Sequence, residues 1–339
     1  MKFHTIILSS LLILGLASCT QDKNAEEVNI YTHRHYEIDK TLYHQFEETT
    51  GIQVNVLKAS ADELIERVKR EGENSPADLI FTVDAGRLTR AKAAGIFQPL
   101  NLAEINTPVP SHFVDTDSLW MALTYRTRTA VTLKAGKMEA INLMDLNQAQ
   151  YSGKILTRSS SNMYNQSMVA ELIHLVGKDS AQAWVNGFVA NFARKSKGND
   201  RDQVKAMVQG RGEVAVVNAY YIGKMLNSKD SLELAAGNAV QVKYGNHPTF
   251  GTHINISGVG LAQYAPNSAN AYALINFMLS KNVQKQFAEA NYEYPVIDGI
   301  TLSSPLSDWG IPENIVRNFN AFGELNAEAV EIMENAGWK

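Results

Sequence analysis

Residues 28–36 read VNIYTHRHY, a strand pattern that ends in a cluster of polar rings. Val28 and Ile30 alternate with polar residues, which predicts a β-strand. The stretch after them has two histidines, an arginine and two tyrosines within six residues, a composition too polar for a core and too bulky for a tight turn. The fold is therefore predicted to begin with a strand whose carboxyl end carries imidazole and phenol groups.

Strand and helix patterns alternate after this stretch. Residues 39–51 have apolar side chains at helical spacing, with Asp39 as the expected N-cap and Gly51 as the expected C-cap. Residues 52–56 (IQVNV) predict a second strand, residues 60–68 a second helix that opens with a capping box, and residues 77–81 (ADLIF) a buried third strand. This order predicts an α/β fold, in which a parallel sheet has helices on both faces.

The pattern recurs in the second half of the chain. Residues 154–157 and 213–217 predict strands, and helices follow them from about Gln166 and after residue 219. Residues 119–133 and 253–263 are extended and apolar but have no helix of their own. We expect these two segments to cross between two α/β lobes as a two-stranded hinge.

The first residues have the features of an export signal. Residues 1–18 combine a basic start with an apolar run too short to span a membrane. Residues 16–19 (LASC) resemble the lipobox of bacterial lipoproteins, although an ordinary cleaved signal would leave Cys19 incidental. Residues 19–26 form a polar tether. We expect an exported protein, anchored through lipidated Cys19 to a membrane and facing the periplasm or the cell exterior.

Composition restricts the kind of partner. The chain of 339 residues has one cysteine, so disulfides and thiolate metal sites are excluded. Its net charge is −4 and it has no basic run, which argues against nucleic acid as a partner. We expect a monomer.

Four tyrosines follow predicted strands at three strand-to-helix junctions. They are Tyr36, Tyr164, Tyr220 and Tyr221. Ligands of open parallel sheets bind outside the carboxyl ends of the strands, so these junctions are expected to face one cleft. Any one tyrosine has the simpler interpretation of an amphipathic packing residue. The set of four, beside His33 and His35, indicates a site for a hard and highly charged cation such as Fe3+, because phenolate is a hard anionic oxygen donor.

Three segments carry a family resemblance. Residues 31–36 (YTHRHY), 158–166 (RSSSNMYNQ) and 218–221 (NAYY) resemble the bacterial ferric-iron-binding proteins of ABC transporters, most closely the subgroup with one histidine and four tyrosines. The likeness extends over nearly the whole mature chain, including residues 76–78 and 291–296. It implies a two-lobed type II periplasmic-binding-protein fold, each lobe a mixed, mainly parallel sheet with flanking helices. The expected N-terminal lobe is 27–122 plus about 262–292, and the C-terminal lobe is 123–261 plus about 293–339.

The resemblance also implies a ligand set and a role in iron uptake. His35 and Tyr36 would bind iron from the N-terminal lobe, and Tyr164, Tyr220 and Tyr221 from the other lobe. The iron would pass to an ABC transporter permease. The family usually has serine where this chain has His33, so the choice between His33 and His35 stays open, as does the choice between Fe3+ and Fe2+.

Charge places further residues near the metal. Four phenolates and one neutral imidazole around Fe3+ leave a net charge of −1, which requires a neighbouring cation. Arg34, Arg126 and Arg128 are the candidates, although the last two could equally form structural ion pairs. With five protein ligands, a synergistic anion is not expected to be required.

Two other functions fit parts of the sequence. A binding protein of the same fold could hold an organic cation on aromatic faces or an oxyanion at helix N-termini. An enzyme could use His33 or His35 as a general base. The chain has no Gly-x-Ser-x-Gly and no Gly-rich phosphate loop. We therefore predict that it is not an enzyme.

Overall fold

The computed structural model describes residues 26–136, 140–245, 247, 250–313 and 318–339. The predicted signal peptide, Cys19 and all but the last residue of the predicted tether lie outside the described residues. The described part has ten strands: β1 (Glu27–Thr32), β2 (Gln53–Lys58), β3 (Leu79–Val83), β4 (Phe97–Gln98), β5 (Met121–Leu133), β6 (Ile155–Leu156), β7 (Val214–Asn218), β8 (Val240–Val242), β9 (Ile254–Ala262) and β10 (Tyr294–Pro295).

The helices follow the predicted alternation with the strands. They are α1 (Glu37–Thr50), α2 (Ala61–Glu71), α3 (Ala85–Ala93), α4 (Met163–Val176), α5 (Lys178–Ala190), α6 (Asp200–Val208), α7 (Tyr220–Leu226), α8 (Ser231–Ala239), α9 (Ser268–Met278), α10 (Lys281–Asn291), α11 (Leu306–Trp309), α12 (Ala321–Glu324) and α13 (Asn326–Asn335). Within the described ranges, none of these helices is both long and apolar enough to span a membrane.

The main path of the sheet has the order β2-β1-β3-β9-β5-β7-β6. β1 is parallel to β2 and β3, and β6 is parallel to β7, as the strand–helix alternation predicts. β9 is antiparallel to β3 and β5. β5 changes partners along its length: residues 121–127 pair with β9, and residues 128–133 pair with β7 and β8. β5 therefore joins the strands on the β9 side of the sheet to the strands on the β7 side.

Three apolar cores surround this sheet. The largest packs β1, β3, β9 and the first half of β5 against α1, α2, α9 and α10. The other two lie on opposite faces of β7, because successive strand side chains point to opposite sides of a sheet. Val214 and Val216 face α4, α5 and α13, whereas Ala215 and Val217 face α6, α7 and α8. Helices thus cover both faces, as predicted.

Two helix starts differ from the sequence prediction. α1 begins at Glu37 with Tyr36 as its N-cap, so Asp39 is the third helical residue and not the cap. The Asp39 carboxylate instead pairs with Arg34, at 3.0 Å. α4 begins at Met163, not at about Gln166, which places Tyr164 in its first turn. The predicted C-cap of α1 is confirmed, since Gly51 takes the left-handed conformation with φ of 78°.

Asp78 joins the amino end of β3 to its neighbours. Its buried carboxylate accepts hydrogen bonds from the backbone N–H groups of Asn29 (2.7 Å) and Asn267 (2.6 Å), and from both side-chain amides. It therefore connects β1, β3 and the start of α9.

We expect Asp78→Ala to lower the free energy of unfolding by about 2 kcal/mol, because it removes the carboxylate that accepts from two partly buried backbone N–H groups. Urea denaturation measures this change. The control is Asp62→Ala, since the exposed Asp62–Arg90 pair is worth at most about 1 kcal/mol. Equal denaturation midpoints for Asp78→Ala and the unaltered protein would contradict this role.

Candidate metal centre

The four predicted tyrosines lie together where the cores meet. Tyr36 follows β1 and caps α1, Tyr164 lies in the first turn of α4, and Tyr220 and Tyr221 begin α7 directly after β7. Tyr36, Val83 and Tyr220 form a small apolar cluster separate from the three cores, and Tyr221 packs against it. β7 runs antiparallel to β5 and therefore opposite to β1, so the carboxyl ends of β1 and β7 face each other and their strand-to-helix junctions bring these rings together.

Ring distances define the cluster. The Tyr36 and Tyr220 ring centroids are 6.2 Å apart in an edge-to-face arrangement, and the Tyr220 and Tyr221 rings stack at 4.2 Å. Tyr164 joins them through Arg126, whose Nη1 donates to the Tyr164 hydroxyl over 3.4 Å. Residues more than 180 positions apart along the chain thus form one phenolic surface.

The phenols resist ionisation in the absence of a cation. Burial raises the pKa of Tyr36 and of Tyr220 well above 10, and the Tyr164 phenol raises both further, because neighbouring phenolates would repel each other. Burial also raises the pKa of Tyr221. At neutral pH these hydroxyls are therefore protonated, and a cation bound between them has to displace the protons.

The two histidines differ in environment. His35 is exposed, and its ring lies 5.5 Å from the Tyr36 ring. His33 is partly buried, with Nδ1 3.5 Å from Nη1 of Arg87. Burial and the Arg87 cation lower the pKa of His33 to about 4, so this imidazole is neutral at neutral pH. Their centroids are 6.2 Å apart. The ring of His35 therefore lies beside a phenol, whereas that of His33 lies beside Arg87.

Arg34 and Arg126 share a buried carboxylate that sequence analysis missed. Glu293 is fully buried and lies 3.3 Å from Nη2 of Arg34 and 3.4 Å from Nε of Arg126. Although burial would raise it, the two guanidinium groups lower the pKa of Glu293, which keeps it ionised. Together with Asp39, Glu293 neutralises both arginines.

Arg128 has different neighbours from Arg126. Its guanidinium donates to Asn165 and Asn218 and forms an ion pair with Asp200 at 3.4 Å. Asn165 follows Tyr164, and Asn218 lies two residues before Tyr220. Arg128 thus connects the starts of α4, α6 and α7. These contacts agree with the alternative in which Arg128 forms a structural ion pair.

Lys224 is a cation of the cluster that sequence analysis missed. Its Nζ lies 4.3 Å from the ring centroid of Tyr36 and 5.2 Å from that of Tyr220. Burial lowers its pKa to about 8, so the amine is mostly protonated at neutral pH. The sequence could have indicated Lys224, because it lies four residues after Tyr220 on one helix and residues i and i+4 share a helix face.

The donor set is phenolic. Among the described residues, no group of three or more histidine, cysteine, aspartate or glutamate side chains could hold a metal ion. Four phenols and two imidazoles instead offer oxygen and nitrogen donors, with cations and ionised carboxylates arranged around them. Phenolate oxygen suits a hard cation of high charge.

Comparison with known proteins gives the family. Residues 74–314 match the family model of the bacterial extracellular solute-binding proteins. Iron uptake protein A1 of Synechocystis sp. is 40% identical over 347 residues, covering 99% of this chain and 95% of the relative.

Solved structures agree in fold. Trichodesmium IdiA (FutA), in complex with iron and citrate ligands, is 40% identical with a TM-score of 0.87, covering 92% of this chain and 100% of that one. The ferric binding protein from Campylobacter jejuni is 36% identical with a TM-score of 0.84, covering 92% and 100%. The chain therefore belongs to the bacterial extracellular solute-binding proteins, with the α/β fold of type II periplasmic binding proteins, and it is a binding protein and not an enzyme.

Proposed function

We propose that this protein captures Fe3+ and delivers it to an ABC transporter permease for iron uptake. The ligands in this proposal are His35, Tyr36, Tyr164, Tyr220 and Tyr221, with His33 as the alternative imidazole. The observation that carries it is the convergence of four phenols from three strand-to-helix junctions. The relatives named for iron uptake and ferric binding support iron as the solute. A preference for Fe2+ over Fe3+ is one possible outcome of the binding experiment.

Two lobes would close on the metal. We assign residues 27–122 and about 262–292 to the N-terminal lobe, and 123–261 and about 293–339 to the C-terminal lobe. The separate apolar cores support this division, although the segment after 293 contributes to cores of both lobes. β5 and β9 would form the hinge. Tyr36 belongs to one lobe and the other three tyrosines to the second, so bound iron favours the closed state.

The charges around the cluster support a trivalent cation. Arg34 and Arg126 are matched by Asp39 and Glu293, which leaves this group neutral before iron binds. Four phenolates and Fe3+ then add a net charge of −1. The Lys224 ammonium, which lies over two of the rings, supplies the opposite charge. Since charge and ligand number are both satisfied, no synergistic anion is required.

An organic cation fits this site less well. A free carboxylate in the cluster would favour such a ligand, but Glu293, a buried carboxylate beside it, already pairs with two arginines. The proposal also covers the residues outside the described ranges. Residues 1–18 direct export, and Cys19 carries the lipid. The mature protein is a membrane-anchored monomer that faces the periplasm or the cell exterior.

Adding ferric citrate to metal-stripped protein is expected to produce a phenolate-to-iron charge-transfer band in the visible spectrum that saturates at one equivalent. The Tyr220→Phe, Tyr221→Phe double variant should lose the band, because it removes two phenolates. Tyr264→Phe, which alters a tyrosine that is 47% exposed, serves as the matched control and should keep it.

No band, together with no rise in thermal stability on adding iron, would reject the ferric proposal and favour an organic ligand. A band that forms only when bicarbonate is present would contradict the proposal that no synergistic anion is required.

Iron affinity is expected to fall as the pH falls. The pKa values of Tyr36, Tyr220 and Tyr221 are raised, so these phenols hold their protons throughout the neutral and acidic range and release them on binding. Each proton released weakens binding about tenfold for every pH unit lost. Competition against citrate at several pH values measures the slope. An affinity independent of pH from about 5.5 to about 7.5 would contradict phenolate ligation.

Substitution of each histidine separates the two candidate imidazoles. His35→Ala should weaken iron binding at least about tenfold while keeping the charge-transfer band, because the phenolates remain. His33→Ala should change affinity less than about threefold, because its ring faces Arg87. The reverse order of effects in a citrate competition assay would assign the ligand role to His33.

A further inference from the structure

Tyr292 has an unusual backbone conformation for an aromatic residue. It caps the carboxyl end of α10 in the left-handed region, with φ of 58° and ψ of 32°. Helices commonly end with a residue in this conformation, but that residue is usually glycine, since a side chain is strained there. A bulky ring kept at this position indicates a contact that compensates for the strain.

The contact is with the bare backbone of α7. A Cβ added to Gly223 would lie 2.3 Å from Cγ of Tyr292 and 2.8 Å from its Cβ. The Tyr292 ring therefore rests directly on the helix backbone, and only glycine leaves room for it. Glycine inside a helix is itself unfavourable compared with alanine. Two locally unfavourable residues thus meet in a single contact.

This contact connects the two parts of the metal centre. Gly223 follows Tyr220 and Tyr221 within one turn of α7, and α7 packs in a core with α6 and α8. Tyr292 lies at the end of α10, which packs in the largest core, and directly precedes Glu293. The ring also packs against the cluster of Tyr36, Val83 and Tyr220.

We infer that the packing of Tyr292 on Gly223 is the closing contact that seats α7 against the N-terminal lobe and so positions Tyr220 and Tyr221 for iron. Tyr292 is a positioning residue here and not a ligand. This inference rests on the proposed function, since it assigns the closed, iron-binding arrangement to a particular steric fit.

The test is a double-variant cycle of Gly223→Ala and Tyr292→Gly, measured by iron affinity in competition with citrate. Gly223→Ala should weaken binding by about tenfold or more, because the added methyl group overpacks the contact and holds the lobes apart. Tyr292→Gly should also weaken binding, yet the metal-free protein should lose little thermal stability, since relief of the left-handed strain offsets the lost packing of the partly buried ring.

The double variant separates a fitted contact from general damage. With the ring removed, the alanine at 223 has space, so the double variant should bind iron no worse than Tyr292→Gly alone. Gly187→Ala is the matched control, because its added Cβ on α5 would crowd the Asn147 carbonyl oxygen at 2.8 Å, in the core on the other face of β7 from α7. It should affect thermal stability more than iron affinity. All variants should keep the charge-transfer band at saturation.

Two results would overturn the inference. One is an affinity of Gly223→Ala within about twofold of the unaltered protein. The other is a double variant in which the effects of the single variants simply multiply. If the unaltered protein itself binds no iron, the proposed function fails, and hydrogen exchange then tests the contact alone: unchanged protection of the α7 amides in Tyr292→Gly would reject it.

Discussion

Four neighbouring phenols, two of them buried and two partly buried, can ionise together only if a highly charged cation lies between them. Without the cation, burial and mutual repulsion keep Tyr36 and Tyr220 protonated. With it, the same closeness becomes favourable, because every phenolate oxygen gains a nearby positive charge. The surrounding features of the structure, from the strand ends that carry the tyrosines to the buried ion pairs beside them, are arranged around this constraint.

The buried ion pairs solve a problem that the empty cluster would otherwise have. A free guanidinium beside neutral phenols would be a buried, unpaired charge, which is costly. Glu293 and Asp39 remove that cost for Arg34 and Arg126, so neither arginine is an unpaired charge before metal arrives. Lys224 remains partly accessible, and its lowered pKa reflects the cost of its own burial. Its charge becomes fully useful only when phenolates form.

Local patterns in the sequence were enough to predict the scaffold. Alternating strands and helices predicted the parallel pairing of β1, β2 and β3, and the rule that ligands bind outside the carboxyl ends of strands predicted that Tyr36 and Tyr220 lie together. Contacts distant along the chain could not be predicted in this way. Glu293 meets Arg34 across 259 positions, and no local pattern encodes that distance.

Arg126 and Arg128 show the same limit on a smaller scale. They lie on one face of β5 by alternation, so sequence analysis treated them alike. Two residues along a strand span about 6.6 Å, so the two guanidinium groups have different neighbours. Arg126 therefore reaches Tyr164, whereas Arg128 reaches Asp200 and the asparagines beside the tyrosines.

Tyr292, whose backbone is strained, lies at the end of α10 and packs against the tyrosine cluster. Local preferences alone would select glycine at position 292 and alanine at 223. The chain has the opposite pair, and the ring of one fills the space left by the other. In the proposed closure, a contact of this kind favours a single relative position of the two lobes, because overlap rises steeply with displacement. The proposed ligands would then not need to be held rigidly by either lobe alone, since the fit between the lobes would set the distance between Tyr36 and Tyr220.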